Sequence, residues 1–300
     1  MKHIFSVFIF TALFIPCSYS QQLTVVSGKV ERLANFPSKY IQPRNVDVWL
    51  PEGYSQTKNY TVLYMHDGQM LFDTATTWNH QEWGVDETVS QLLNEHKIKD
   101  VIVVGIWNNG KYRHSDYFPQ KPLQALPKNV RDTIIKNELE GKPQADNYLL
   151  FLVKELKPYI DSAYNTYADR RHTFVAGSSM GGLISFYAIC EYPSVFGGAA
   201  CLSTHWPGSL KQKPGIIPKA FNLYLLKHLP SAENHRIYFD YGTATLDSLY
   251  EPYQLMVNRT MKAKGYTKKN WITKKFEGDS HTETAWQKRL HIPIEFLVGK

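Results

Sequence analysis

The chain holds 300 residues, 43% of them hydrophobic and 20% charged, a balance that fits a globular core and excludes a disordered or fibrous chain. Its length is ordinary for one large α/β sheet with its helices, so no second domain is required. A formal net charge of +7 favours an anionic substrate, cell wall or membrane surface as the thing it meets.

At the start, Lys2 and His3 precede an apolar run over 4–15, Pro16 breaks the pattern, and Ser18 and Ser20 supply small residues around a cut before Gln21. That layout predicts a secretory signal peptide over 1–20 and a secreted or periplasmic protein. The apolar run falls short of the ~20 residues that span a bilayer, so no stable membrane insertion is expected. Cys17 would carry lipid in a bacterial lipoprotein, but Pro16 stands where such a box has a small residue. Loss of Lys2 lowers the net charge from +7 to +6. Export brings Cys190 and Cys201 to an oxidising compartment, yet both fall in packed elements and read as buried, unpaired thiols.

Two β-rich segments follow, 23–33 and 44–50, the second alternating Val46, Val48 and Leu50 with polar neighbours before Pro51-Glu52-Gly53 turns the chain. They predict an antiparallel entry to a sheet. Short, continuously apolar runs come next at 61–65, 101–106, 173–176, 198–202, 237–240 and 271–276, and apolarity without alternation means burial on both faces, as in a parallel sheet. Leu149, Leu152, Val153, Leu156 and Ile160 form one stripe of a helix over 147–164. Strands alternating with helices imply an α/β fold built from βαβ crossovers. The connections 108–146 and 204–235 leave the carboxyl ends of strands, where open α/β sheets bind ligands, and read as insertions that cover a substrate. The densest basic stretch, Lys262, Lys264, Lys268, Lys269, Lys274 and Lys275, reads as a solvated face, and no nucleic-acid partner is expected.

Chemistry concentrates at Gly177-Ser178-Ser179-Met180-Gly181, followed by Gly182, between a buried strand and a helix over 180–191. This is a nucleophile elbow: its glycines relieve crowding in a tight turn that pushes Ser179 out over the sheet. A serine needs a base, and in the chain order Ser, acid, His the best-placed histidine is His281, in a polar loop after the last strand. Two carboxylates are candidates for the acid. Asp247 lies in the loop beyond Gly242 and is the choice, although it also fits a helix cap; Asp240 sits inside the strand pattern. Main-chain donors for an oxyanion are expected from Met180, just after the nucleophile, and from Gln69 in the loop after the third strand.

The runs Tyr64-Met65-His66-Asp67-Gly68-Gln69, Trp83-Gly84-Val85-Asp86 and Ala176 to Gly182, with His281, Glu283 and Trp286, resemble the esterase D or putative-esterase family of α/β-hydrolases. Enterochelin esterases and feruloyl and acetylxylan esterases are among its members. The resemblance implies the α/β-hydrolase fold, a three-layer α/β/α sandwich with a mostly parallel sheet, and a serine esterase without metal or other cofactor. It carries over Ser179 and His281, while relatives often place the acid nearer the strand's glycine than Asp247 stands behind Gly242. Trp83, Asp86, Arg113, Tyr117, His205 and Trp206 are expected to shape the pocket, with Arg113 free to pair with an acidic group on a substrate. The expected partner is a small-molecule or carbohydrate ester, the alcohol or acid being an aryl, sugar-linked or siderophore group. The same machinery serves an acyltransferase with a sugar acceptor. A non-catalytic binding protein on this scaffold would be expected to have lost Ser179 or His281, and both are present.

Overall fold

A computed structural model of the chain describes residues 23–300; the leader expected over 1–20, its cut before Gln21 and Cys17 lie outside the described residues. Eight strands form one sheet: β1 (Lys29–Phe36), β2 (Arg44–Leu50), β3 (Thr61–His66), β4 (Val101–Ile106), β5 (Thr173–Ser178), β6 (Gly198–Leu202), β7 (Arg236–Gly242) and β8 (Trp271–Phe276). Their spatial order is β1-β2-β4-β3-β5-β6-β7-β8. β2 runs antiparallel to β1 and β4, and every other neighbouring pair is parallel. The order reverses between β3 and β5, so the crevice outside their carboxyl ends is the switch point where such sheets place ligands.

Every residue of β3, β4, β5 and β6 is buried, which is why these segments lack polar alternation. Side chains still point alternately to two faces. Val46, Val48, Tyr64, Ile102 and Val104 pack on one side with Leu149, Leu156 and Ile184. Trp49, Leu63, Met65, Val101 and Val103 pack on the other with Val85, Val89, Trp286 and Leu297. These two cores make the three layers of an α/β-hydrolase fold. β8 closes one edge, and its exposed Lys274 and Lys275 oppose pairing with another chain. Cys190 and Cys201 are buried free thiols.

β3, β5 and β7 run a residue or two past the apolar runs, and the larger departures from the sequence pattern are at the first strand and the long helix. The first strand starts at Lys29, because Thr24 and Val26 donate their amides to the carboxylates of Asp73 (3.0 Å) and Asp86 (2.7 Å) instead of joining the sheet. Gly28, at φ +74°, then turns the chain against β2, and a Cβ there would lie 2.3 Å from the Leu50 carbonyl oxygen. The long helix is divided: α-helix Ala145–Phe151, a π turn at Leu152–Leu156, and α-helix Lys157–Ala163. Pro158 lacks the amide that would bond the Lys154 carbonyl, and a wider turn accommodates its ring.

The connection 108–146 folds into short helices, among them Arg113–Tyr117, Gln120–Gln124 and Lys128–Glu138. The connection 204–235 carries the helix Ile216–His228. Both send residues to a cleft above the carboxyl end of β5.

Candidate active site

β5 ends at Ser178 and the next helix begins at Met180, so Ser179 alone makes the turn, at φ 57° and ψ −120°. A side-chain-bearing residue held there stores about 1–3 kcal/mol of strain. The fold enforces it: the Ser179 amide donates to Leu202 O at 2.9 Å, and the Ser179 carbonyl accepts from the His205 amide at 3.1 Å. A Cβ on Gly177 would come within 2.8 Å of the Gly181 backbone, and one on Gly182 within 3.0 Å of Thr204 Oγ1. Gly181 has ordinary clearance, 3.4 Å to the nearest atom. Crowding at the elbow therefore falls on Gly177 and Gly182 rather than on Gly181.

In the loop after β8, the His281 amide donates to Thr245 Oγ1 at 2.9 Å, and its Nδ1 lies 2.5 Å from Asp247 Oδ1. The other carboxylate oxygen accepts from Ser203 Oγ at 2.5 Å and from the Gly242 amide at 2.6 Å. Asp247 is fully buried. Burial works to raise its carboxyl, but the hydrogen bonds from His281, Ser203 and Gly242 prevail and hold it below the ordinary value. With both oxygens engaged this way, the carboxylate caps no helix. Asp240 is committed elsewhere, accepting from Arg289 Nη2, the Ser203 amide and Tyr238 Oη, each at 3.0 Å.

Met180 is the first residue of its helix and Gln69 the second of a one-turn 3-10 helix, Gly68–Met70; amides in a first turn have no carbonyl of their own helix to bond. The loop that carries Gln69 is tightly specified. A Cβ on Gly68 would lie 2.4 Å from the Gly105 backbone, so only glycine lets the turn press against β4. Asp67 sits at φ 57°, its carboxylate gripped by Arg113 Nε (2.7 Å) and Nη2 (2.8 Å) and by Asn108 Nδ2 (2.7 Å). Burial alone would raise that carboxyl; Arg113 and Asn108 bring it below its ordinary value.

Residues 38–293 match the model of the family described as Putative esterase. The chain belongs to that family. It is 22% identical over 265 residues to the uncharacterized protein YbbA of Bacillus subtilis (strain 168), covering 86% of this chain and 93% of that protein. Its fold is similar to that of a ferulic acid esterase, with a TM-score of 0.64 at 18% identity over 90% of this chain and 97% of the other. The enterobactin esterase FES of Shigella flexneri gives 0.63 at 17% identity, covering 92% of this chain and 60% of that one. The protein is a carboxylic ester hydrolase with the α/β-hydrolase fold. Among the described residues, no helix is long and apolar enough to cross a membrane.

Two clefts of this esterase meet at Ser179 and Arg113. One, of about 530 Å³, is lined by His114, Glu138, His205 and Lys211 among others. The second, of about 460 Å³, is lined by Gln69, Trp78, Trp83, His281 and Glu283 among others. A further cavity, about 750 Å³, lies between the helix Glu251–Ala263 and β8, includes Lys262, Lys268 and Lys274 of the basic stretch, and shares no lining residue with either cleft.

Of the expected pocket residues, Trp83 and Arg113 line a cleft, as does His205. Arg113 needs correcting in one respect: two of its nitrogens are bound to Asp67, so its charge is already answered within the protein. Asp86, Tyr117 and Trp206 are corrected outright, being 0%, 0% and 1% exposed. Asp86 anchors the Val26 amide, the Tyr117 hydroxyl accepts from the Asp67 amide at 3.3 Å, and Trp206 donates to Gln254 Oε1 at 2.8 Å.

Sequence reasoning missed Ser203 and Arg289. Ser203 follows β6 as Ser179 follows β5, and that parallel was the available signal; Asp240, a carboxylate inside an apolar strand, implied a buried cation such as Arg289. Arg289, 2% exposed, donates to Asp240, to Ser203 Oγ at 2.9 Å and to Asp279 Oδ2 at 2.9 Å, tying the His281 loop to the floor of the site. Burial raises Asp240 and Arg289 draws it part-way back. Arg289→Met leaves that charge unpaired and is expected to cost about 3 kcal/mol in urea unfolding. The deficit should grow as pH rises from about 5 to 8, since a carboxyl of raised pKa protonates when acid is available. An unchanged midpoint would show that the network carries no stability.

Proposed function

We propose that this protein is an exported serine esterase, a domain over 21–300 following the leader 1–20, that works through Ser179, His281 and Asp247. The observation that carries the reading is the Asp247–His281 pair at 2.5 Å, on a histidine that shares a cleft with an elbow serine. His281 Nδ1–H bonded to Asp247 leaves Nε2 as the basic nitrogen. It takes the Ser179 proton as Oγ attacks the acyl carbonyl, and the Met180 and Gln69 amides receive the oxyanion. Collapse expels the alcohol oxygen, which leaves with that proton, and an acyl-enzyme remains. Water repeats the sequence, releases the acid and restores Ser179. The ferulic acid and enterobactin esterases of the same fold support an aryl, sugar-linked or siderophore ester.

The test is one experiment on protein recovered from its host. A fluorophosphonate should label Ser179, and intact mass should place the amino terminus at Gln21, while p-nitrophenyl, feruloyl, acetyl-xylan and catecholate esters rank the acyl group. Labelling at another residue, or none, overturns the nucleophile; a lipid-bearing Cys17 terminus overturns the export route.

A further inference from the structure

Trp78 is 82% exposed, more than any other large apolar side chain among the described residues. A single exposed apolar side chain is ordinary on a protein surface, but an indole at a cleft offers its face to whatever occupies that cleft. Trp78 lines the cleft that also holds Ser179 and His281. His281 does not line the other cleft, although Ser179 does.

That asymmetry assigns the two halves of an ester. The histidine that takes the serine proton must hand it to the departing alcohol oxygen, so the alcohol lies within hydrogen-bond reach of His281. We infer that the cleft of Trp78 and His281 is the alcohol subsite, that the acyl group occupies the cleft of His205 and Lys211, and that Trp78 is a stacking platform for a cyclic polyhydroxy alcohol, a sugar ring. This rests on the roles proposed above for Ser179 and His281.

The walls fit that class of alcohol. Asn79, Gln81 and Glu283 offer amide donors and carbonyl or carboxylate acceptors beside the indole. Asn79 Nδ2 donates to Glu283 Oε2 at 2.9 Å, and Gln81 Oε1 accepts from Thr284 Oγ1 at 2.9 Å, so the loop bearing Trp78 is tied to the start of the helix Glu283–Arg289 just after His281. A sugar presents C–H faces to an aromatic ring and hydroxyls at its edge. An alkyl alcohol would desolvate these polar groups and leave them unpaired.

Partition of an acyl-enzyme tests the subsite without knowledge of the natural substrate. p-Nitrophenyl acetate acylates Ser179; an acceptor alcohol in the subsite then attacks the acetyl carbonyl, gives its proton to His281, and expels the Ser179 oxygen, which regains that proton. With methyl β-xylopyranoside and n-butanol competing at equal concentration, wild type should form mainly acetyl-xyloside. Trp78→Ala should lower the xyloside-to-butanol product ratio by about tenfold, and Trp78→Phe by less. The ratio is independent of how much acyl-enzyme forms, so a partly folded variant still reports. An acetyl-enzyme on Ser179 with an unchanged ratio in Trp78→Ala, or with butanol preferred by wild type, overturns the sugar subsite. Failure to acetylate Ser179 overturns the proposed nucleophile instead.

Discussion

Ser179→Ala is expected to lower kcat for any activated ester by about a millionfold while the protein melts within a few degrees of wild type. Chemistry and structure separate cleanly at this residue. Its backbone does the structural work, through the amide on Leu202 O and the carbonyl that accepts from His205, and alanine keeps both. Backbone strain at φ 57° is similar for alanine, which also carries a Cβ. In the proposed mechanism the hydroxyl alone makes the covalent bond. Burst kinetics with p-nitrophenyl acetate, read beside a thermal melt, measure both quantities; turnover within a thousandfold of wild type would mean that another group attacks.

Legibility in the sequence followed the range of the interactions involved. β4 and β6 begin and end where their apolar runs do, because a strand buried on both faces writes its limits into local hydrophobicity. The start of β1 did not, since bonds from Thr24 and Val26 to carboxylates 49 and 60 residues away decide it. The elbow was visible because strand, glycines and helix are contiguous. The choice between Asp247 and Asp240 was harder. Their partners, His281 and Arg289, lie 34 and 49 residues along the chain, and no local pattern says which carboxylate meets which cation. Aromatic side chains in the connections misled in one direction and were passed over in the other. Trp206 and Tyr117 are packed away while Trp78 stands in solvent, and an aromatic residue in a connection looks the same in either case.

Asp247→Asn should reduce kcat by about ten-thousandfold, with Asp240→Asn costing far less per folded molecule. The surroundings dictate how an amide must sit. Gly242 N–H can only donate, and it points at Oδ2. Ser203 Oγ accepts from Trp286 Nε1 and Arg289 Nη2, each at 2.9 Å, which fills its lone pairs and aims its one proton at Asp247. An asparagine must therefore put its oxygen toward Ser203 and Gly242 and its NH2 toward His281. Facing a donor, Nδ1 becomes the acceptor and the ring proton moves to Nε2, the nitrogen that has to take the Ser179 proton. Catalysis is lost through the wrong tautomer while the loop stays in place. Asp240 touches Arg289, Tyr238 and the Ser203 amide but not His281, so its change should appear in melting temperature. The pH dependence follows from the lowered Asp247 carboxyl: a depressed carboxylate contributes above its unfolded pKa and loses that contribution as pH falls through the folded value. The stability lost in Asp247→Asn should thus stay flat between about pH 5 and 8 and shrink only in stronger acid. A variant within tenfold of wild type across that range would leave Ser179 and His281 working without Asp247.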